Sequence, residues 1–198
     1  MKPNKSVSMP NLVFLLDCAG VVEQDALQSV IDIHRVVRVS EGDAFAELRP
    51  ARPGVAGLDM ALSIDFAAAA IGRQALSLSL SPDSFRRELA RARTFTLAAE
   101  IEQLRAAGLA KRGSLDNAVV VDQARVLNPS GLRMQDEFVR HKLLDAVGDL
   151  ALAGARLRGR FIAHRSGHAL NNRLLHALFA EAPARREFSA EPIAAVAA

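Results

Sequence analysis

The chain has no tryptophan and no tyrosine, and its only aromatic rings apart from histidine are nine phenylalanines. Basic residues interleaved with stacking rings, the pattern that single-stranded nucleic acid calls for, are therefore missing. A single cysteine, Cys18, excludes an intrachain disulfide and suits a reducing cytoplasm, which is the expected location. The net charge of +3, with a sequence pI near 9.6, is too small an excess to imply a polyanionic partner by itself. No apolar run is long enough to span a membrane. The longest, N-L-V-F-L-L-D-C-A-G-V-V, is broken by Asp17, so no stable membrane insertion is expected. Lys2 and Lys5 ahead of it give a faint look of a secretory leader, but the small-residue cleavage pattern is absent and a core helix is the expectation. Neither a dinucleotide nor a Walker glycine spacing occurs, and no internal repeat is visible.

What is present is the composition of a globular protein: half the 198 residues are hydrophobic and 24% are charged, enough for one sizeable core. The first eight residues read as a loose tail, and Pro10 opens a short apolar helix to about Ala19. R-V-V-R-V-S, the turn E-G-D and A-F-A-E-L-R form a strand pair. Leu58–Phe66 and Leu76–Leu80 alternate apolar and polar residues with period two, so each buries one face, as in an antiparallel sheet with helices on a single side. Ser81 caps a helix that starts at Pro82 and runs to about Ala92, and another helix is expected from Leu97 to Ala107. Ala118–Asp122 and Arg125–Leu127 read as a hairpin. A helix spans about Gln135–Ala153, a strand Gly159–His164 and a last helix Gly167–Ala180. The fold class is α+β, a two-layer sandwich of mainly antiparallel sheet with helices packed on one face. The basic run F-R-R-E-L-A-R-A-R-T-F (85–95) reads as a solvated helix face. A sugar-phosphate site is the alternative, and nucleic acid resting on Arg86, Arg87, Arg91 and Arg93 a weaker third.

Within F-V-R-H-K-L-L-D-A-V-G-D-L (138–150), His141, Asp145 and Asp149 fall four residues apart on one stripe of a helix whose other arc carries Leu143, Leu144, Val147 and Leu150. Two interpretations fit the spacing. One is an exposed i, i+4 ion pair contributing a few tenths of a kcal/mol. The other is a one-sided clamp on Zn²⁺, which needs a further protein ligand to complete a catalytic site. In S-G-H-A-L-N-N-R-L-L (166–175) a second histidine, His168, stands at a helix start after a glycine. A carboxylate such as Asp149 within its reach would orient the ring and favour its imidazolium. An oriented acid beside a metal-bound water suits amide hydrolysis.

G-S-L-D-N-A-V-V-V-D (113–122), D-E-F-V-R-H-K-L-L-D-A-V-G-D-L (136–150) and S-G-H-A-L-N-N (166–172) closely resemble the UDP-3-O-acyl-N-acetylglucosamine deacetylase family, the zinc amidases of lipid A biosynthesis in Gram-negative bacteria. R-A-R-T-F (91–95) and the Arg35–Leu48 stretch fit as well, and the likeness runs from about Pro10 to Leu178. It implies that His141 and Asp145 are zinc ligands. It also implies that His168 stabilises the oxyanion and protonates the leaving amine, with Asp149 orienting it and Thr94 hydrogen-bonding the oxyanion. Lys142 would face the nucleotide side of the UDP-3-O-acyl-N-acetylglucosamine substrate, and Phe95 would pack against the glucosamine ring. Ile101, Leu115 and Val120, in an insert at about 97–121, would line the acyl passage. Residues 1–34 would be a tail and the remnant of a first domain, and 35–198 the second.

The family's first domain carries a third zinc ligand, a histidine preceded by the glutamate that acts as general base. No Glu-His dipeptide occurs in this sequence. The resemblance therefore implies the C-terminal part of a deacetylase with little or no turnover alone. The alternative is a non-catalytic remnant that still binds nucleotide sugar or acyl chain. A monomer prone to aggregation through the Leu12–Leu16 helix is expected. His34, His164 and His176 are expected to be structural or exposed.

Overall fold

The computed structural model describes residues 9–22, 24, 26–101, 118–181 and 184–190, with backbone alone for 186–190. In chain order it contains α1 (Met9–Ala19), β1 (Gln28–Ile33), β2 (Val37–Glu41), β3 (Ala44–Arg49), β4 (Leu58–Asp65) and β5 (Arg73–Ser79). Next come α2 (Pro82–Ser84), continued by a π-helical turn over Phe85–Leu89, then β6 (Thr94–Leu97), β7 (Ala118–Asp122) and β8 (Arg125–Val126). The chain closes with α3 (Glu137–Ala151), β9 (Arg156–His164), α4 (His168–Ala180) and β10 (Arg185–Ala190).

Seven strands form the main sheet, and β9 is its hub. β3 runs antiparallel and β4 parallel along its second half, with Phe45 opposite His164 and Met60 opposite Phe161. β1 pairs in parallel with its first residues, Val30 opposite Arg156, and β10 adds antiparallel to β1. A smaller sheet joins β6, β7 and β8, with Phe95 opposite Val119. The alternation read from the sequence sets which face is buried. Leu58, Met60, Leu62 and Ile64 of β4 and Leu157, Phe161 and Ala163 of β9 point into the core, while Asp59, Ser63, Asp65, Arg160 and His164 take the other face. α3 lies against β4 and β5, and α4 against β2 and β3. Phe138, Leu143 and Leu150 of α3 and Leu174 and Leu178 of α4 are buried on that apolar layer. This is the expected two-layer α+β arrangement.

Gly159 of β9 shows how close the elements come. A Cβ there would stand 2.7 Å from the Arg49 carbonyl oxygen and 2.9 Å from Ile33 Cγ1, so only glycine fits.

Four local expectations need correction. α1 forms, but none of its residues is buried: Phe14, Leu15 and Leu16 are exposed, so it is not a core helix. The helix begun at Pro82 has the expected Ser81 capping box but ends at Leu89, where the Ala90 amide donates to Phe85 O, five residues back. β1 and β10 are sheet strands that the hydrophobic pattern did not announce. The basic run is not wholly solvated either, because Arg93 is buried. Leu97 ends β6 instead of opening a helix, residues 98–101 are helical as expected, and 102–107, with Leu115, lie outside the described residues. His34 and His176 are exposed, and His164 Nδ1 lies 2.8 Å from Ser63 Oγ. No helix among the described residues is long and apolar enough to cross a membrane.

Candidate active site

α3 turns its apolar arc to the sheet and its polar stripe towards the start of α4 and the edge of β6. The stripe is recessed: the side chains of His141, Asp145 and Asp149 are 15%, 16% and 12% exposed, so it is no wet helix face. His141 Nε2 lies 3.3 Å from Asp145 Oδ1, and Lys142 Nζ is 3.5 Å from Asp145 Oδ2. Burial pushes the His141 pKa below its ordinary value despite the opposing pull of Asp145, which favours the neutral ring. Its Nδ1 is buried and has no hydrogen-bond partner among the described residues. Either neutral tautomer thus has a defect: a buried N–H without an acceptor, or a buried lone pair without a donor. A cation between His141 Nε2 and Asp145 would take the ring lone pair and the carboxylate oxygen that face each other, with the ring proton on Nδ1, so the donor pair fits a divalent metal such as zinc. Among the described residues no third histidine, cysteine or carboxylate joins the pair as a ligand group.

The second histidine arrives from a sharp turn. Arg165, with φ of 50°, is one of two non-glycine residues at positive φ among those described, and its amide donates to Ser63 O at 2.8 Å. The chain leaves β9 there and Gly167 caps α4, so His168 is the first residue of the helix. Its side chain is 66% exposed, yet Nδ1 is 2.9 and 3.0 Å from the two oxygens of Asp149. Nδ1–H therefore donates to the carboxylate, and Nε2, 3.9 Å from Asp145 Oδ2, is left to exchange a proton with a ligand. Asn171, one turn along α4 and 1% exposed, donates from Nδ2 to Asp149 Oδ2 at 2.8 Å.

β6 forms the third wall. Phe95 meets Phe138, Phe66 and His141 edge-on at centroid distances of 5.0, 5.4 and 6.1 Å, and Lys142 Nζ is 5.7 Å from its ring. Thr94, next to it, is exposed. The residue before Thr94 anchors this strand. Arg93 donates to the fully buried Glu137 from Nε at 2.9 Å, Nη2 at 3.0 Å and its backbone amide at 3.0 Å, and the Arg133 amide adds a bond at 2.7 Å. Burial works to raise the Glu137 pKa, but these bonds outweigh it and hold the carboxyl below its usual range.

The structure thus gathers His141, Lys142, Asp145, Asp149, His168 and Phe95 in one place, with Thr94 at its edge. Ile101 is half-buried. Val120 is buried in β7, where its amide donates to the Asn128 side chain, so any acyl-facing role for it starts from a core position. Sequence reasoning passed over Glu137 and Asn171, and took Arg93 only as part of the basic run. Glu137 lies four residues before His141 on the same stripe, which is the signal that was available.

A family model for UDP-3-O-acyl N-acetylglycosamine deacetylase (LpxC) matches residues 5–180. Over 171 residues the chain is 50% identical to a UDP-3-O-acyl-N-acetylglucosamine deacetylase of Shewanella sp. (strain W3-18-1), and 49% identical to that of Shewanella oneidensis. Each match takes in 85% of this chain and 55% of the relative, so the chain spans about half the length of these curated relatives. On this similarity, the chain belongs to the UDP-3-O-acyl N-acetylglycosamine deacetylase family.

Proposed function

We propose that the chain carries part of a zinc-dependent deacetylase site that hydrolyses the N-acetyl group of UDP-3-O-acyl-N-acetylglucosamine and releases acetate. The single observation that supports this most is the meeting of two differently held imidazoles on one stripe. His141 is buried against Asp145, and exposed His168 is braced by Asp149. His141 and Asp145 would hold the metal, which when bound supplies Lewis-acid polarisation of the amide carbonyl and an acidified water. The third ligand and the general base belong, on this proposal, to residues beyond this chain's own set.

The chain's residues have separable tasks. Asp149 would fix His168 as an Nδ1–H donor, so that a protonated Nε2 can support the oxyanion and then pass its proton to the leaving amine. The Thr94 hydroxyl would donate to the same oxyanion. Phe95, held edge-on by Phe138 and Phe66, offers a rigid apolar surface to the sugar ring. Lys142 places a cation on the side where the nucleotide diphosphate would lie, and Ile101 and Val120, with Leu115, would border the acyl passage.

Calorimetric titration of the metal-stripped chain with Zn²⁺ tests the ligand pair. A weak site in the parent chain that disappears in His141→Ala and in Asp145→Ala is expected, and equal binding in all three proteins would refute it. Turnover of the acylated UDP-sugar by the chain alone should be slight. Full chelator-sensitive turnover would show that ligand and base are not missing. With two donors among the described residues, the second reading is a non-catalytic remnant, which would bind the sugar nucleotide with no dependence on zinc.

A further inference from the structure

We propose that Asn171 is a positioning residue: its amide locks the Asp149 carboxylate in the orientation that makes His168 an Nδ1–H donor. This rests on the role given to His168 above. Asn171 sits on the buried side of α4 beside Leu170, Leu174 and Leu175, where packing alone calls for an apolar residue. It is 1% exposed, and its Oδ1 is buried without a partner among the described residues. The amide's orientation follows from chemistry, since turned over it would set its oxygen against a carboxylate. Nδ2 at 2.8 Å therefore holds Asp149 Oδ2, an oxygen that also faces His168 Nδ1 at 3.0 Å.

An aspartate on one helix and a histidine on the next can meet in several rotamers. Of the polar side chains there, Asn171 constrains this carboxylate from the protein side. The choice of a neutral amide matters. A guanidinium or ammonium in its place would compete with the imidazolium for the carboxylate's charge, whereas an amide orients Asp149 and leaves its charge for His168. Asp145, 3.9 Å from Nε2, is the other carboxylate facing this ring and lies on the side away from Nδ1.

The test uses the whole chain, metal-free, with ¹⁵N-labelled histidine, at one alkaline pH where the imidazole is neutral. Long-range ¹H–¹⁵N spectra report which ring nitrogen of His168 bears the proton. The parent chain should show the Nδ1–H tautomer alone. Asn171→Leu should lose that exclusivity and populate both tautomers, while its urea midpoint stays equal or rises because the unpartnered oxygen is gone. Should Asn171→Leu fold poorly, Asn171→Ala removes the donor without adding bulk and reads the same way. A purely structural Asn171 gives the reverse, lowered stability with the tautomer unchanged, and that result overturns the inference. Asp149→Ala separates the two levels. If it also leaves His168 as Nδ1–H, the Asp149–His168 pairing itself fails. If it alone changes the tautomer, only the role of Asn171 fails.

Discussion

Replacing Arg93 with methionine tests the pair that joins β6 to α3. Glu137 is fully buried and accepts four hydrogen bonds, two from the Arg93 guanidinium and two from the amides of Arg93 and Arg133. Arg93→Met removes the guanidinium pair and the positive charge but keeps both amides. Breaking a buried ion pair from one side costs about 3–5 kcal/mol, because it strands a charge. For a chain of this size each kcal/mol shifts Tm by about 2–4 °C, so a fall of roughly 6–20 °C is expected. The double variant Arg93→Met/Glu137→Met should not recover fully, since it leaves the buried amide of residue 93 without an acceptor at about 1–3 kcal/mol and also removes the acceptor of the Arg133 amide. The pH dependence has a definite sign. The folded Glu137 pKa lies below its ordinary 4.5, so its stabilisation is present above that value and is lost as pH falls through the folded pKa. In Arg93→Met burial acts with much less opposition and raises the Glu137 pKa. The variant's deficit at neutral pH should therefore shrink as pH falls from neutral through the raised Glu137 pKa, where the carboxyl takes up a proton. Urea unfolding of both proteins across this range measures it. A neutral-pH loss under about 1 kcal/mol, or a deficit that grows on acidification, would refute the reasoning.

Gly159→Ala sets a methyl group against the Arg49 carbonyl and Ile33, and should cost about 1–3 kcal/mol in denaturant unfolding. An unchanged midpoint would mean that β9 and its neighbours part easily. α1 exposes Leu12, Phe14, Leu15 and Leu16, and Val21 and Val22 follow it, an apolar patch unusual for an isolated monomer. Concentration-dependent self-association is expected, reduced in Phe14→Ser/Leu15→Lys. A clean monomer by size exclusion over a wide concentration range would contradict it.

The difference between what could be read from sequence and what could not is physical. β4 was legible because one of its faces is buried and the other wet, which writes period two into Leu58–Asp65. β1 was not, because Val30, Ile31, Asp32 and Ile33 are all buried and leave no alternation; the Asp32 carboxylate is paired with Arg158. The stripe on α3 was legible because a helix places i and i+4 together whatever the rest of the fold does. Arg93, Glu137 and Asn171 were not, because a buried polar residue reads as ordinary until its partner is known. Those partners are 44 and 22 residues away in sequence. The solvated face expected for the basic run failed at Arg93 for this reason, while Arg86 and Arg87 are exposed as expected and pair with Asp17 and Asp83.

With Glu137 included, the stripe has four members, Glu137, His141, Asp145 and Asp149, one turn apart. The two ends are held by groups outside α3: Glu137 by Arg93 and Arg133, and Asp149 by His168 and Asn171, at 2.7–3.0 Å. The middle is looser, with contacts of 3.3–3.9 Å between His141, Lys142, Asp145 and His168, and His141 Nδ1 without a partner among the described residues. Charge-assisted hydrogen bonds close to about 2.7–2.9 Å when geometry is free to optimise them. The middle pair is therefore poorly satisfied by its own protein while its neighbours on both sides are rigidly fixed. A residue that served only as a surface ion pair would gain nothing from such bracing. On the proposed role, in which this pair would receive a cation, fixed flanks would keep imidazole and carboxylate facing each other at a cost already met in folding the rest of the helix.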